Sequence, residues 1–161
     1  MAIEIERKFL LRDTRWRAEV HRSASMRQGY LAGSERCSIR VRVSGSEAHL
    51  NIKSATLGIT RSEFEYAVPL ADAEDMLNTL CGPQQLHKTR HYVRHQGHEW
   101  EVDEFHGANA GLVVAELELE TSDEHFARPE WLGEEVSDDP RYYNSRLVEQ
   151  PYSTWPEAPN S

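Results

Sequence analysis

The chain has 161 residues, with 18 lysines and arginines against 27 aspartates and glutamates, and a formal net charge of −9 at neutral pH. This length matches one ordinary domain and is sufficient to close a small β-barrel. The negative charge repels nucleic acid and anionic membranes over most of the surface, so a phosphate-binding site must be a local concentration of positive charge.

The sequence also indicates the cellular compartment in which we expect the protein. No stretch approaches the roughly 20 apolar residues of a membrane span, and residues 1–4 lack the basic start and apolar run of a secretion signal. Cys37 and Cys81 are the only cysteines, which argues against a disulfide scaffold and a Cys-based zinc site. We therefore expect a cytoplasmic protein that contacts neither nucleic acid nor membrane, with one domain over residues 1–150 and a C-terminal tail, residues 151–161, without chemistry.

Short alternating segments separated by turn residues recur along the chain and predict a mainly β fold. Ser44-Gly45 and Gln96-Gly97 lie where two hairpin turns are needed. The predicted strands cover residues 3–11, 26–31, 38–43, 49–53, 61–68, 87–95, 99–105 and 112–121.

Four helices are predicted from their start signals. Asp13-Thr14 opens a helix that runs to about residue 21, and Asp72 caps a second that runs to about residue 80. Ser122, followed by two acidic residues, starts a third. Asp139-Pro140 provides an N-cap with proline at the first helical position, which predicts a last helix over residues 141–149.

Charged side chains occupy one face of nearly every predicted strand, because residues two apart share a face. On the first strand, Glu4, Glu6 and Lys8 lie opposite Ile5 and Phe9. The later strands repeat this division, with Arg40, Arg42, Asn51, Lys53, Arg61, Glu63, Glu65, Lys88, Arg90, Glu101, Asp103, Glu116, Glu118 and Glu120 on their ionic faces.

Such alternation has two interpretations. One is an open antiparallel sheet whose charged face meets water and serves as a partner surface. Two features favour an inward ionic face: long charged side chains are poor strand formers that rarely fill a whole face, and the only three lysines, Lys8, Lys53 and Lys88, all fall on these faces. Buried ions need partners, so an inward face predicts a wet bore that holds a polyanion and divalent metal.

The ordered set of charged motifs resembles the CYTH, or triphosphate tunnel metalloenzyme, family, named for class IV adenylyl cyclases and thiamine triphosphatases. Glu4-Ile5-Glu6-Arg7-Lys8 resembles the N-terminal Glu-x-Glu-x-Lys signature of that family. The resemblance continues over roughly residues 1–148 in Gln28-Gly29-Tyr30, Arg40-x-Arg42, Lys53, Arg61-x-Glu63-x-Glu65, Lys88-x-Arg90, Glu101-Val102-Asp103 and Glu116-Leu117-Glu118-Leu119-Glu120.

The resemblance implies an α+β, mainly β fold: a closed eight-stranded antiparallel tunnel with a charged interior and a few covering helices. It also implies Mg²⁺ or Mn²⁺, with two ions bound. The implied substrate-binding cations are Lys8, Arg40, Arg42, Lys53, Lys88 and Arg90. The implied metal ligands are Glu4, Glu6, Asp103, Glu116 and Glu118. Catalytic roles are expected for Lys88, Glu63 and Glu65, with Lys88 stabilising the reacting phosphoryl group or orienting water.

The expected reaction is metal-dependent hydrolysis of a triphosphate, with inorganic tripolyphosphate favoured because the short chain has no obvious insertion to bind a base. Alternatives are a nucleoside or thiamine triphosphatase, a class IV adenylyl cyclase, and a polyphosphate-binding module without catalysis. The sequence does not decide whether the chain forms a homodimer.

Two other groups of residues could suggest binding sites. His87, His91 and His95 share the strand face opposite Lys88, so a zinc role is the less favoured interpretation of these histidines. Aromatic rings could stack on a base or on thiamine, but packing is the more frequent role of tryptophan, and we expect it for all four. These are Trp16, Trp100, Trp131 and Trp155.

Overall fold

The computed structural model describes residues 2–83 and 85–158. Most of its strands follow the sequence alternation closely. The strands are β1 (Ala2–Leu11), β2 (Val20–Gly33), β3 (Cys37–Ser44), β4 (Glu47–Ser54), β5 (Thr60–Ala67), β6 (Leu86–His95), β7 (His98–Phe105), β8 (Val113–Leu119) and β9 (Leu132–Glu135). The helices are α1 (Leu70–Thr79) and α2 (Asn144–Glu149), with short 3-10 helices at Arg15–Glu19, Gly107–Asn109, Pro140–Tyr142 and Tyr152–Thr154.

Eight of these strands close into an antiparallel barrel. The order around the sheet is β5-β4-β3-β2-β6-β7-β8-β1, and β1 pairs back onto β5. The seam strand β1 uses Ala2 to Ile5 against β5 and Ile5 to Leu10 against β8. The predicted closed barrel is therefore confirmed. Strand β9, which the sequence did not predict, pairs with the end of β1 outside the ring.

Apolar side chains cover the outside of the barrel in three clusters. Phe9 and Trp100 belong to the first, on β1, β7 and β8. Leu86 and Leu147 belong to the second, beneath α2, and Leu77 of α1 packs on β3 and β4 in the third. All four tryptophans are buried, so their predicted packing role is confirmed. The unpaired state predicted for both cysteines is also confirmed.

Both predicted hairpins are present, but the first turn consists of Gly45 and Ser46, because Ser44 still pairs with Glu47. Gln96 and Gly97 take φ values of 45° and 83°, and Gly45 takes 61°. Two successive positive φ values are typical of the type I′ turn, whose twist matches that of paired strands. The turn sequences therefore predicted the β6–β7 and β3–β4 connections correctly.

The predicted helices needed more correction. The first is only the 3-10 helix Arg15–Glu19, because β2 already pairs with β6 from Val20 onward and is far longer than predicted. Helix α1 begins at Leu70 behind Pro69, so Asp72 lies in its first turn and is not its cap. The helix predicted after Ser122 is wrong, because Glu124 instead accepts hydrogen bonds from Glu120 N and His98 in a turn.

The last predicted helix is broken in two. Asp139 accepts a hydrogen bond from Arg141 N at 3.1 Å, as a cap should, but the chain becomes extended at Tyr143 (φ −70°, ψ 136°) before α2 begins. The tail is packed on the domain, since the Trp155 ring lies 5.1 Å from that of Tyr142. Residues 159–161 of the predicted tail lie outside the described residues. Within the described ranges, no helix has the length and apolar character to cross a membrane.

Candidate active site

The barrel encloses a cavity of about 270 Å³, and the described residues of its wall carry charge of both signs and no aliphatic side chain. Seven cations and seven carboxylates face it, so the wall itself is close to neutral. The cations are Lys8, Arg40, Arg42, Lys53, Arg61, Lys88 and Arg90. The carboxylates are Glu4, Glu6, Glu63, Glu65, Glu101, Glu116 and Glu118. The remaining wall residues are Tyr30, Ser38, Tyr143, Asn144 and Ser145.

Twelve of the thirteen predicted site residues line this cavity, and Asp103 does not. Asp103 is fully buried behind the wall, where its two oxygens accept hydrogen bonds from Lys88 and Arg90. Its neighbour Glu101 faces the cavity instead. Glu120 lies beyond the end of β8, in a separate shallow depression that includes His98.

Several wall cations are already paired with carboxylates. Lys8 Nζ lies 3.2 Å from Glu116 Oε1, and Lys53 Nζ lies 3.1 Å from an oxygen of both Glu4 and Glu63. Lys8 and Arg90 hold the pKa of Glu116 well below its usual range, although burial opposes them. These pairs fix the positions of the carboxylates across neighbouring strands.

Arg40 and Arg42 differ because neither guanidinium has a carboxylate partner among the described residues. Arg40 is 6% exposed and its Nε has no hydrogen-bond partner. Arg42 donates only to the neutral amide of Gln28, at 2.8 Å. Burial, with Arg40 and Arg90 nearby, lowers the pKa of Arg42 to about 9. This part of β3 therefore carries positive charge that no directly paired carboxylate of the described residues neutralises, which is an environment that favours an anion.

Glu6 and Glu118 form the opposite kind of site. They are direct cross-strand partners on β1 and β8, and no cation within the described residues pairs with either. Burial and the charges of Glu116 and Glu4 raise the pKa of Glu6 to about 8. Burial, Glu4 and Glu63 also raise the pKa of Glu118. Like charges directly opposite on a sheet repel, so this carboxylate group favours a bound cation.

The donor set of this carboxylate group fits a divalent metal. Hard cations such as Mg²⁺ and Mn²⁺ prefer carboxylate oxygens, and Glu6 and Glu118 lie beside Glu4 on one wall. In the described part of the chain, no three acidic, histidine or cysteine side chains already converge on one point. Glu4 and Glu116 are turned to Lys53 and Lys8 instead, so metal binding would need one of them to exchange partners.

Lys88 is the most enclosed cation of the wall. Its Nζ lies 2.7 Å from Asp103 Oδ2 and 2.9 Å from Asn144 Oδ1. Burial lowers its pKa to about 7; Asp103 opposes this shift, and Arg90 and Arg42 reinforce it. A nearby anion would favour the charged form of this buried ammonium.

Comparison with known proteins agrees with this geometry. A family model of the CYTH domain matches residues 2–143. The chain belongs to the CYTH domain family. Two CYTH relatives are named inorganic triphosphatase. The protein from Acetivibrio thermocellus is 40% identical over 157 residues, which is 98% of this chain and all of the relative. The protein from Nitrosomonas europaea is 35% identical over 149 residues, 90% of this chain and 96% of the relative.

Structural comparison agrees as well. A crystal structure of an inorganic triphosphatase superposes on this CYTH chain with a TM-score of 0.66 and 32% identity, covering 90% of this chain and 97% of the other. Structures with 13–18% identity and TM-scores from 0.50 to 0.58 share the same fold. The tunnel fold that the sequence resemblance implied is therefore confirmed.

Sequence reasoning missed part of the CYTH cavity wall. Tyr143, Asn144 and Ser145 come from the break between the two C-terminal helical segments. The sequence predicted one continuous helix there and gave these residues no role. Among the described residues, no histidine lines the cavity. The His91 Nε2 atom lies 3.1 Å from Glu104, and Ser23 contacts its other ring nitrogen.

Proposed function

We propose that this CYTH protein is a metal-dependent inorganic triphosphatase that hydrolyses tripolyphosphate to pyrophosphate and orthophosphate. The proposal rests on one observation: cations without an ion-pair partner and carboxylates without one lie on different walls of the same cavity. Among the described residues, Arg40 and Arg42 form no ion pair with a carboxylate on one wall, and Glu6 and Glu118 form none with a cation on another. A polyanion that arrives with divalent metal satisfies both walls at once.

The near-neutral wall supports metal dependence in particular. A triphosphate carries several negative charges, and the cavity's cations are largely matched by carboxylates already. Burying that charge without counterions would cost several kcal/mol for each ion. We propose Mg²⁺ or Mn²⁺, with two ions bound. The proposed ligands are Glu4, Glu6, Glu116 and Glu118, to which Asp103 would be added only if it left Lys88 and Arg90.

The cavity supports an inorganic substrate over an organic one. In the part of the chain that the structure describes, Tyr30 and Tyr143 are the only rings on its wall and no aliphatic side chain is present; the volume is about 270 Å³. Sites that bind organic groups are usually larger and mostly apolar. The two relatives named inorganic triphosphatase, each aligned over nearly its whole length, support the same substrate.

In the proposed mechanism, wall cations bind the phosphate oxygens and water attacks the terminal phosphorus. Lys8, Arg40, Arg42, Lys53 and Arg90 hold the chain of phosphates, and Lys88 stabilises the phosphoryl group in transfer or orients the water. The bond from the terminal phosphorus to the bridging oxygen breaks, which leaves pyrophosphate and orthophosphate. Bound divalent ions supply charge neutralisation and a more acidic water.

The proton of the attacking water needs an acceptor on the protein. Glu63 and Glu65 of β5 are the proposed carboxylates. Lys53 lowers the pKa of Glu63 against the effect of burial, so it stays ionised. Glu65 is held by a 2.7 Å hydrogen bond from Asn51 Nδ2 and reaches the cavity from an exposed position. Glu65 can therefore pass the proton to solvent.

A substrate panel tests this proposal. Phosphate release is measured from tripolyphosphate, ATP and thiamine triphosphate with Mg²⁺ and with Mn²⁺, and cyclic AMP is assayed in parallel. We expect tripolyphosphate to be preferred and Lys88→Ala to reduce kcat more than it raises KM. Cyclic AMP and pyrophosphate from ATP without orthophosphate would establish a cyclase. Tight polyphosphate binding without metal-stimulated turnover would establish a binding module.

The same proposal includes a cytoplasmic location. Cys37 and Cys81 are both unpaired thiols, and such thiols persist in reducing compartments. Light scattering during size-exclusion chromatography would show whether the active species is a monomer or a homodimer.

A further inference from the structure

Two amides, the buried Gln28 and the partly buried Asn144, connect the cations of the cavity to one another. Arg42 Nε donates to Gln28 Oε1 at 2.8 Å, and Gln28 Nε2 donates to Asn144 Oδ1 at 3.0 Å. Lys88 Nζ donates to the same Asn144 oxygen at 2.9 Å. This amide relay, formed by Gln28 and Asn144, therefore links a cation of β3 to a cation of β6 through β2 and α2.

Chemistry fixes the direction of every bond in the amide relay. The Arg42 guanidinium and the protonated Lys88 ammonium can only donate, so the Gln28 oxygen faces Arg42 and the Asn144 oxygen faces Lys88. The Gln28 amide nitrogen is then left to donate to Asn144, as it does. Gln28 is fully buried, so water cannot replace these contacts without rearrangement of the wall.

Neutral acceptors are the suitable choice at this position. A carboxylate in place of either amide would pair with Lys88 or Arg42 and reduce the positive charge available to an anion. An amide oxygen holds the cation in place and leaves its charge uncompensated. Asp103 already supplies the one negative partner of Lys88, at 2.7 Å from Nζ. The amide relay therefore orients cations without competing with a phosphate.

The break at Tyr143 is what brings Asn144 to Lys88. Tyr142 is buried against Trp155 and Leu147 is fully buried in the same cluster, which anchors the chain on both sides of the break. The carbonyl oxygen of Tyr142 also accepts a 3.1 Å hydrogen bond from Lys8 Nζ. The C-terminal segment thus contacts two of the three lysines on the wall.

From these contacts we infer that Asn144 is a positioning residue for catalysis, which acts by holding the Lys88 ammonium at the reacting end of the cavity and transmits that order to Arg42 through Gln28. The inference rests on the proposed triphosphatase function. Its consequence is that a residue outside every predicted motif controls kcat.

Two substitutions at this position separate orientation from charge. Asn144→Ala removes the acceptor, so kcat should fall about 10-fold while KM changes little, as for loss of orientation. Asn144→Asp keeps an acceptor for Lys88 but adds a negative charge, so kcat should recover at least partly while KM rises about 10-fold. Arg146→Ala is the matched control, since Arg146 lies on the same helix and is exposed.

The three lysines allow a second readout that does not depend on turnover. In protein labelled with [15N]lysine, the side chains of Lys8, Lys53 and Lys88 give three Nζ signals, and Lys88→Arg identifies the one from Lys88. Asn144→Ala should shift the Lys88 signal and leave that of Lys53 in place. Arg146→Ala should shift neither.

The outcomes distinguish this inference from the proposed function. An unshifted Lys88 signal in Asn144→Ala, or turnover of tripolyphosphate equal to that of Arg146→Ala, overturns the positioning role. The positioning role is also overturned if Asn144→Ala and Asn144→Asp lose kcat to the same extent and show the same fall in melting temperature. That pattern indicates a structural role alone. Wild-type protein that hydrolyses none of the substrates overturns the proposed function, and the lysine spectra then still decide whether Asn144 holds Lys88.

Discussion

Lys88 and Asp103 form an ion pair that is closed off from solvent: Nζ lies 2.7 Å from Oδ2, and the two side chains are 1% and 0% exposed. The same carboxylate accepts a 2.8 Å hydrogen bond from Arg90 Nε. One buried acid therefore orients two cations of the cavity, and it does so from behind the wall.

Asp103→Asn should damage stability and activity together. The substitution leaves Lys88 and Arg90 buried without their shared anion, and breaking a buried pair in this way costs about 3–5 kcal/mol. Urea unfolding measures that loss, and phosphate release should fall at least about 10-fold because both cations lose their orientation. Asp123→Asn, at an exposed position, should match wild type. A variant of Asp103 with wild-type stability would show that the pair is not formed.

Arg40→Ala and Arg90→Ala should affect the ligand-free protein in opposite ways. Arg40 has no carboxylate partner and lies beside Arg42, so its removal relieves repulsion and should preserve or raise the melting temperature. Arg90 pairs with Glu101, Asp103 and Glu116, so its removal should lower the melting temperature.

Triphosphate affinity gives the second half of this comparison. Calorimetric titration of Arg40→Ala should show a loss of about 1.5–3 kcal/mol, the contribution of one charge-assisted hydrogen bond. Equal destabilisation of the ligand-free protein by both substitutions would contradict the view that Arg40 is reserved for the anion.

Glu6→Gln should raise the metal requirement without harming the fold. Glu6 faces Glu118 across β1 and β8, so the neutral amide relieves repulsion but gives up a carboxylate oxygen. We expect the half-saturating metal concentration to increase at least about 10-fold, measured by metal titration at fixed tripolyphosphate. Glu134→Gln, at an exposed position on β9, is the control. An unchanged metal requirement would remove Glu6 from the proposed ligand set.

Glu104 should make stability depend on pH in the acid range. Arg17 and, more weakly, His91 lower its pKa to about 2, against the effect of burial. A folded-state pKa below the unfolded value stabilises the fold above pH 4.5, and that contribution is lost as the pH falls toward 2. Because the side chain is 30% exposed, solvent screening limits it to about 1 kcal/mol.

The measurement is urea unfolding of wild type and Glu104→Gln at pH 7, pH 4.5 and pH 2.5. The variant should be less stable at pH 7 and pH 4.5, and the difference from wild type should be clearly smaller at pH 2.5. Glu130→Gln, whose side chain is 86% exposed, should follow wild type throughout. An equal free energy of unfolding for wild type and Glu104→Gln at all three pH values would show that the contacts of Arg17 and His91 add no stability.

Gly29→Ala should destabilise the barrel through a steric clash. A Cβ at this position would lie 2.8 Å from Cys81 Cβ and 3.1 Å from Leu77 Cδ2. Overpacking of this kind typically costs about 1–3 kcal/mol, which thermal unfolding would detect. Gly33→Ala on the same strand meets nothing within 4 Å and should be tolerated. Equal melting temperatures would mean that α1 can move away from β2 at little cost.

The two-residue alternation of charge predicted both the closed barrel and most of its active cavity. The alternation is local and holds on nearly every strand, so it survives without knowledge of tertiary contacts. Strand β9 was missed because Leu132–Glu135 is only four residues long and is defined by pairing with β1. The helix predicted after Ser122 did not form because the Glu124 carboxylate accepts hydrogen bonds from Glu120 N, in a turn, and from His98. It is therefore not available to the first turn of a helix.

The roles of Asp103 and Asn144 show where such prediction ends. Alternation placed Asp103 on the ionic face correctly, but only the packed structure shows that Lys88 and Arg90 cover it. Asn144 faces the cavity because Tyr142 and Leu147 anchor the chain around a break. Those anchors are contacts between distant segments, and no local pattern encodes them.

Strand β1 carries Glu4, Glu6 and Lys8 and is also the seam, with neighbours on β5 and β8 that lie far along the chain. Closure of the ring at β1 therefore also brings these three charged side chains to the cavity wall. Pairings of such long sequence separation are made slowly and late. A molecule in which β1 has not yet paired with β5 and β8 would lack a complete charged cavity wall. We therefore expect hydrolysis only from the fully closed barrel.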